Sequence, residues 1–119
     1  MSQTNFDNLI DQHPDLAATL RLLSDWISDH PNVEFFDLRR LARDLRSITP
    51  EEIADALRIM VEEGVARRTY RVETPDNVLT DKEYESRSDV EKEESVPDSL
   101  HAAYFKPDTN KIVSGFRLE

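Results

Sequence analysis

Residues 49–72, TPEEIADALRIMVEEGVARRTYRV, carry the clearest structural signal in the chain. Thr49 is suited to cap a helix, Pro50 fits its first position, and Glu52 follows the cap by three residues, the spacing of a capping box. Ile53, Ala56, Leu57 and Met60 recur at helical spacing and give one apolar face. Gly64 supplies the left-handed residue on which helices end. From Val65 the period switches to two: Val65, Arg67, Thr69, Arg71 and Glu73 share one side, and Ala66, Arg68, Tyr70 and Val72 the other. The segment predicts a helix over 50–63 and a strand over 65–73.

Upstream, the pattern predicts two further helices. One runs over 14–30: Pro14 opens it, Asp15 sits in the turn the helix dipole favours, and Leu16, Leu20, Leu23 and Ile27 form its stripe, widened by Leu22 and Trp26. His30-Pro31 stops it, because the residue before proline is pushed out of the helical region. The other runs over 37–46, with Leu38, Leu41, Ala42 and Leu45 inward; Phe35 and Phe36 just before it read as core. Residues 4–12, with Thr4 as cap and Phe6, Leu9 and Ile10 apolar, read as a further short helical turn.

Downstream, Pro75-Asp76-Asn77 signals a turn. Residues 102–106 and 111–118 read as two strands of a hairpin around Pro107-Asp108-Thr109-Asn110; a short helix over 99–105 is the competing reading. Between lies the acidic stretch 78–98. Its centre, Asp81–Ser95, holds ten charges in fifteen residues and only Tyr84 and Val90 as sizeable apolar groups. Such a segment buries too little to offset the entropy of ordering it, so it is expected as a solvated, mobile excursion. An exposed helix capped by Thr80 and Glu83 is the alternative.

The chain has 119 residues, a length that suits a single domain. With 25 acids against 15 bases its formal charge is −10. That disfavours nucleic acid and anionic lipid and favours a basic protein partner, although solubility alone also explains an acidic chain. There is no cysteine, hence no disulfide framework and no thiolate chemistry. The N-terminus lacks the features of a signal peptide, and no apolar run approaches the roughly 18 residues of a membrane span. A cytoplasmic protein is the expectation.

Three helices, of which the second and third are joined by Ser47-Ile48, followed by a β-ribbon, resemble the winged helix superfamily. The run IADALRIMVEEGVARR looks like that superfamily's third helix, glycine stop and first wing strand. The resemblance covers about residues 14–74 and the final strand. It implies an α+β fold: a three-helix helix-turn-helix core, then a small antiparallel sheet forming the wing, here with a long acidic excursion. It also implies that the helix over 50–63 would be the one to enter a DNA major groove. Winged helix domains serve as regulators, dimerisation modules and protein-binding parts of assemblies, so the resemblance bears on fold more than on function.

Two sets of residues are candidates for function. The outer face of the third helix carries Glu51, Glu52, Asp55, Ile59, Glu62 and Glu63, with Arg58 as its only cation. Groove-reading helices carry Arg, Lys, Asn or Gln instead. Capping explains Glu51 and Glu52, but Glu62 and Glu63 lie at the unfavourable end of the helix dipole. The second set is basic: Arg39, Arg43 and Arg46 at i, i+4 and i+7 with Arg40 beside them, and Arg67, Arg68 and Arg71 on the first wing strand. These would grip phosphate or an acidic partner, unless neighbouring carboxylates pair with them.

Catalysis finds no support. His13, His30 and His101 are scattered, no Gly-rich loop is present, and no nucleophile constellation occurs; no metal or cofactor is expected. The leading expectation is a non-enzymatic interaction module, a small winged helix subunit or adaptor of a larger bacterial-type complex, with Ile59 and the Phe35–Phe36 pair as candidate interface groups. The alternative is a DNA-binding regulator, working as a homodimer through the arginines. A second alternative is an acidic inhibitor or antitoxin-like protein occupying a basic site.

Overall fold

In the computed structural model, Thr49 Oγ1 accepts the backbone N–H of Glu52 at 3.2 Å, and Glu52 Oε1 accepts the N–H of Thr49 at 3.2 Å. The capping box is closed, and helix α4 runs Pro50–Glu62 from it. Gly64 ends the helix at φ +72°, with open space where a Cβ would stand. Glycine is thus required here by backbone conformation and not by crowding.

The structure describes residues 3–98, 101 and 103–119, and of residues 3–5 the backbone only. Helix α1 spans Gln3–Gln12, α2 Ala17–Asp29, α3 Leu38–Asp44, and α5 Arg87–Glu91; the strands are β1 Ala66–Val72, β2 Val96–Asp98, β3 Ala103–Phe105 and β4 Ile112–Leu118. The fold is α+β: four helices, then small antiparallel two-stranded sheets. The expected Thr4 cap, the start of the expected strand at Ala102, and Ser99 and Leu100 of the alternative helix lie outside what is described.

The chain forms two compact units: residues 3–67 with 117–119, and residues 68–116. In the first, α1 packs on α2, and α4 on both α2 and α3. Pro14–Leu16 forms a 3₁₀ turn, so the helix expected over 14–30 becomes regular only at Ala17. Its buried face is Thr19, Leu20, Leu23, Ser24 and Trp26, rotated from the expected stripe so that Leu16 and Ile27 are only half-buried. Phe35 and Phe36 are core, at 9 % and 2 % exposure. Burying an aliphatic or aromatic side chain of this size contributes about 1.5–3 kcal/mol.

Strands β1 and β4 pair antiparallel. Glu119 N–H donates to Val65 O at 3.0 Å at one end, and Glu73 N–H to Lys111 O at 3.0 Å at the other.

The second unit departs from expectation. Residues 78–98 are not a bare excursion. Tyr84, Val90 and Val96 join Val72 in a core, with Tyr70, Phe105 and Ile112 packed against it. Spacing explains this: Val72 arrives on β1, Tyr84 at an isolated bridge to Tyr70, Val90 on α5 and Val96 on β2, and Val96 falls just outside the charge-rich window. Some of its charges are paired within the segment, Lys82 to Glu93 at 2.7 Å and Arg87 to Glu91 at 3.5 Å. Thr80 does not cap a helix; it is buried and its hydroxyl donates to Val72 O at 2.8 Å. Ser86 caps α5 instead.

The expected hairpin of 102–106 with 111–118 does not form. β3 pairs with β2, in the register Val96↔Phe105, Pro97↔Tyr104 and Asp98↔Ala103. The intervening Pro-Asp-Thr-Asn does not reverse the chain as a tight hairpin turn. Asp108 caps a 3₁₀ turn, Thr109–Lys111, by accepting the N–H of Asn110 at 2.9 Å. The turn after β1 forms as read: Thr74 Oγ1 accepts the N–H groups of Asp76 and Val78, and Asn77 takes φ +65°.

Candidate functional site

The outer face of α4 is built by the same periodicity that buries its inner one. Ile53, Ala56, Leu57 and Met60 point inward. Glu51, Asp55, Arg58 and Glu62, at i, i+4, i+7 and i+11, therefore share the opposite stripe, and all four are exposed. Arg58 is tied to Glu62 at 3.1 Å, so the stripe's one cation is matched by a carboxylate of the same face. Glu52 is exposed, with Oε1 engaged in the capping box. Glu63, the C-cap, lies 3.9 Å from His13 Nε2, a partner that offsets its place at the negative end of the dipole when the imidazole is charged.

Ile59 is corrected. It is only 8 % exposed and belongs to the core, not to an interaction face. It lies three residues beyond Ala56, so the buried stripe is wider than the four inward residues suggested. The large apolar side chain this helix does show to solvent is Val61, 36 % exposed.

The arginines fall into different situations. Arg39 and Arg43 are exposed on α3. Arg46 is not on that helix face, because α3 ends at Asp44; its Nε donates to Arg43 O at 3.3 Å from the turn beyond. Arg40 is half-buried and lies over the Trp26 ring, 5.3 Å from its centroid. Arg67 pairs with Glu119 at 3.4 Å. In the second unit, Arg68 lies over Phe116 at 5.3 Å, and Arg71 is half-buried in an ion pair with Glu83 at 2.8 Å. Arg71 is thus committed within the fold and does not belong to an open basic patch.

Sequence reasoning missed two clusters. In the first unit, Trp26 Nε1 donates to Asp44 Oδ2 at 2.9 Å, and His30 stacks on the Trp26 ring at 4.2 Å. The Trp26 hydrogen bond, with Arg43 and Arg40 adding, holds the Asp44 carboxyl below its ordinary value of 3.8 against the opposing effect of desolvation. Eighteen residues separate Trp26 from Asp44, so no local pattern announces them. In the second unit, Asp98 and His101 form an i, i+3 pair at 2.8 Å.

Among the described residues, no three or more His, Asp or Glu side chains are grouped to hold a metal ion, and no helix is long and apolar enough to cross a membrane. Comparisons with protein families, curated proteins and solved structures found no match.

Proposed function

We propose that the chain is a non-enzymatic protein–protein interaction module of winged helix type, a small subunit or adaptor whose outer α4 face receives a basic partner. The order α2, α3, α4, β1, β4 supports the winged helix reading. The observation that carries the functional one is the stripe Glu51–Asp55–Arg58–Glu62, three acids whose only cation is already ion-paired. Set in a major groove, such a face would meet two phosphate strands with like charge. Against a lysine- or arginine-bearing helix the same charges attract, and Val61 beside them offers a small apolar contact.

The test uses a synthetic amphipathic helix with Lys along one face and Leu beside it, titrated at near-physiological salt by fluorescence anisotropy. Binding weakened about tenfold or more by Glu51→Lys with Asp55→Lys supports the reading. Affinity untouched by that double reversal contradicts it.

A second reading, the DNA-binding regulator, is favoured by Arg39 and Arg43, which stand exposed on α3. It requires phosphate contacts by these two groups, so duplex binding at near-physiological salt that is lost on Arg39→Glu with Arg43→Glu would support it.

A further inference from the structure

Asp98, the last residue of β2, is only 8 % exposed, yet it carries a carboxylate. His101 supplies two hydrogen-bond partners to it: the backbone N–H donates to Oδ1 at 3.3 Å, and Nδ1 lies 2.8 Å from Oδ2. The other ring nitrogen, Nε2, stands 3.8 Å from Asp76 Oδ2. Asp76 belongs to the turn after β1, which Lys111 holds from another side: its Nζ donates to Thr74 O, Pro75 O and Asn77 Oδ1 at 3.3, 3.1 and 2.9 Å. The imidazole is thus faced by Asp98 from β2 and Asp76 from the turn, with Lys111 the cation on that turn.

We propose that His101 is a pH-operated staple which, when protonated, joins the end of β2 to the Asp76 turn and, when neutral, holds Asp98 alone. The chemistry follows from the ring's two nitrogens. A neutral imidazole has one N–H. Given to Asp98 through Nδ1, it leaves the Nε2 lone pair toward the Asp76 carboxylate, which repels it. Protonation places a second N–H on Nε2 and turns that contact into an attraction. Lys111 keeps its grip on the turn in both states, so the histidine adds a second, conditional tie.

The electrostatics agree. The Asp98 hydrogen bond first, then its charge, with a smaller contribution from Asp76, raise the His101 pKa above its ordinary 6.5. A raised folded-state pKa stabilises the folded unit fully below the ordinary value and loses that contribution as pH rises through the raised one. The staple therefore changes state above the ordinary 6.5, so His101 stays charged to higher pH than a free imidazole.

The test is amide hydrogen exchange by NMR at Asn77 and Val78, whose N–H groups bond to Thr74 O and Thr74 Oγ1 within the turn. Corrected for intrinsic rates, their exchange is expected to slow several-fold as pH falls from about 8 to about 6 in the unaltered protein. In Asp76→Asn the slowing disappears and the His101 ring titrates at lower pH, while the Asp98 bond persists. In His101→Gln the slowing also disappears. His13→Gln with His30→Gln, both in the first unit, leaves it in place. Slowing that survives in Asp76→Asn overturns the proposal, and so does its absence from the unaltered protein. Should His101→Gln fail to fold, Asp76→Asn alone decides.

Discussion

Arg71 and Glu83 meet at 2.8 Å with only 14 % of either side chain exposed. Twelve residues apart, they tie β1 to the acidic segment whose order the sequence concealed. Removing one partner strands a charge where water reaches it poorly, whereas replacing both by apolar groups does not. Arg71→Ala is expected to destabilise the protein by about 2 kcal/mol. Arg71→Met with Glu83→Leu is expected to cost less. Urea unfolding followed by circular dichroism measures both; equal losses would show that the pair's charges are not what orders the segment.

The acidic segment also marks how far the sequence could be read. Local signals came through: the Thr49–Glu52 box, the Gly64 stop and the Asn77 turn are each set by residues within a few positions of one another. What failed depended on distant partners. Val90 and Val96 are single apolar residues among charges, and their burial follows only once Val72 and Tyr84 are brought beside them. The sequence pattern points β3 toward β4, but its partner is β2, a three-residue strand with no pattern of its own to announce it. Among the candidate residues, the acids of α4 could be placed by helical period alone. Ile59 could not, because the width of a buried stripe depends on what packs against it. Arg46 was misplaced because α3 stops at Asp44, two residues before it.

The α4 start is held by reciprocal bonds between Thr49 and Glu52, so the cap is worth an ordinary helix cap. Thr49→Ala is expected to cost about 1 kcal/mol, and Thr49→Ser close to nothing. Thermal or urea unfolding of the two variants side by side checks this.

Ile59 separates core from interface. Ile59→Ala is expected to lose about 2–3 kcal/mol of stability, with affinity for the basic helical peptide unchanged. Glu51→Lys with Asp55→Lys is expected to do the reverse, because both positions are exposed. An Ile59→Ala protein of full stability and reduced affinity would return Ile59 to the surface.

Trp26 is the chain's one tryptophan and reports on Asp44 directly. The folded-state pKa of Asp44 is lowered, so its contribution is present above the ordinary 3.8 and is lost as pH falls through the lowered value. Trp26 fluorescence should therefore hold steady as pH falls through 3.8 and change only below it. In Asp44→Ala, which cannot accept the indole N–H, that acid transition should be missing. A transition centred above 3.8 in the unaltered protein would show that the hydrogen bond does not govern this carboxylate.

On the proposed reading, α4 presents an acid face to a protein instead of a basic face to DNA. The direct measurement is fluorescence anisotropy of a labelled mixed-sequence duplex at about 50 mM and about 200 mM salt, with the unaltered protein and with Arg39→Glu combined with Arg43→Glu. The expected result is no binding at the higher salt, and at the lower salt at most a weak association that the double reversal removes. Binding that persists at the higher salt and is lost with Arg39 and Arg43 would contradict the claim and make the α3 arginines the functional site.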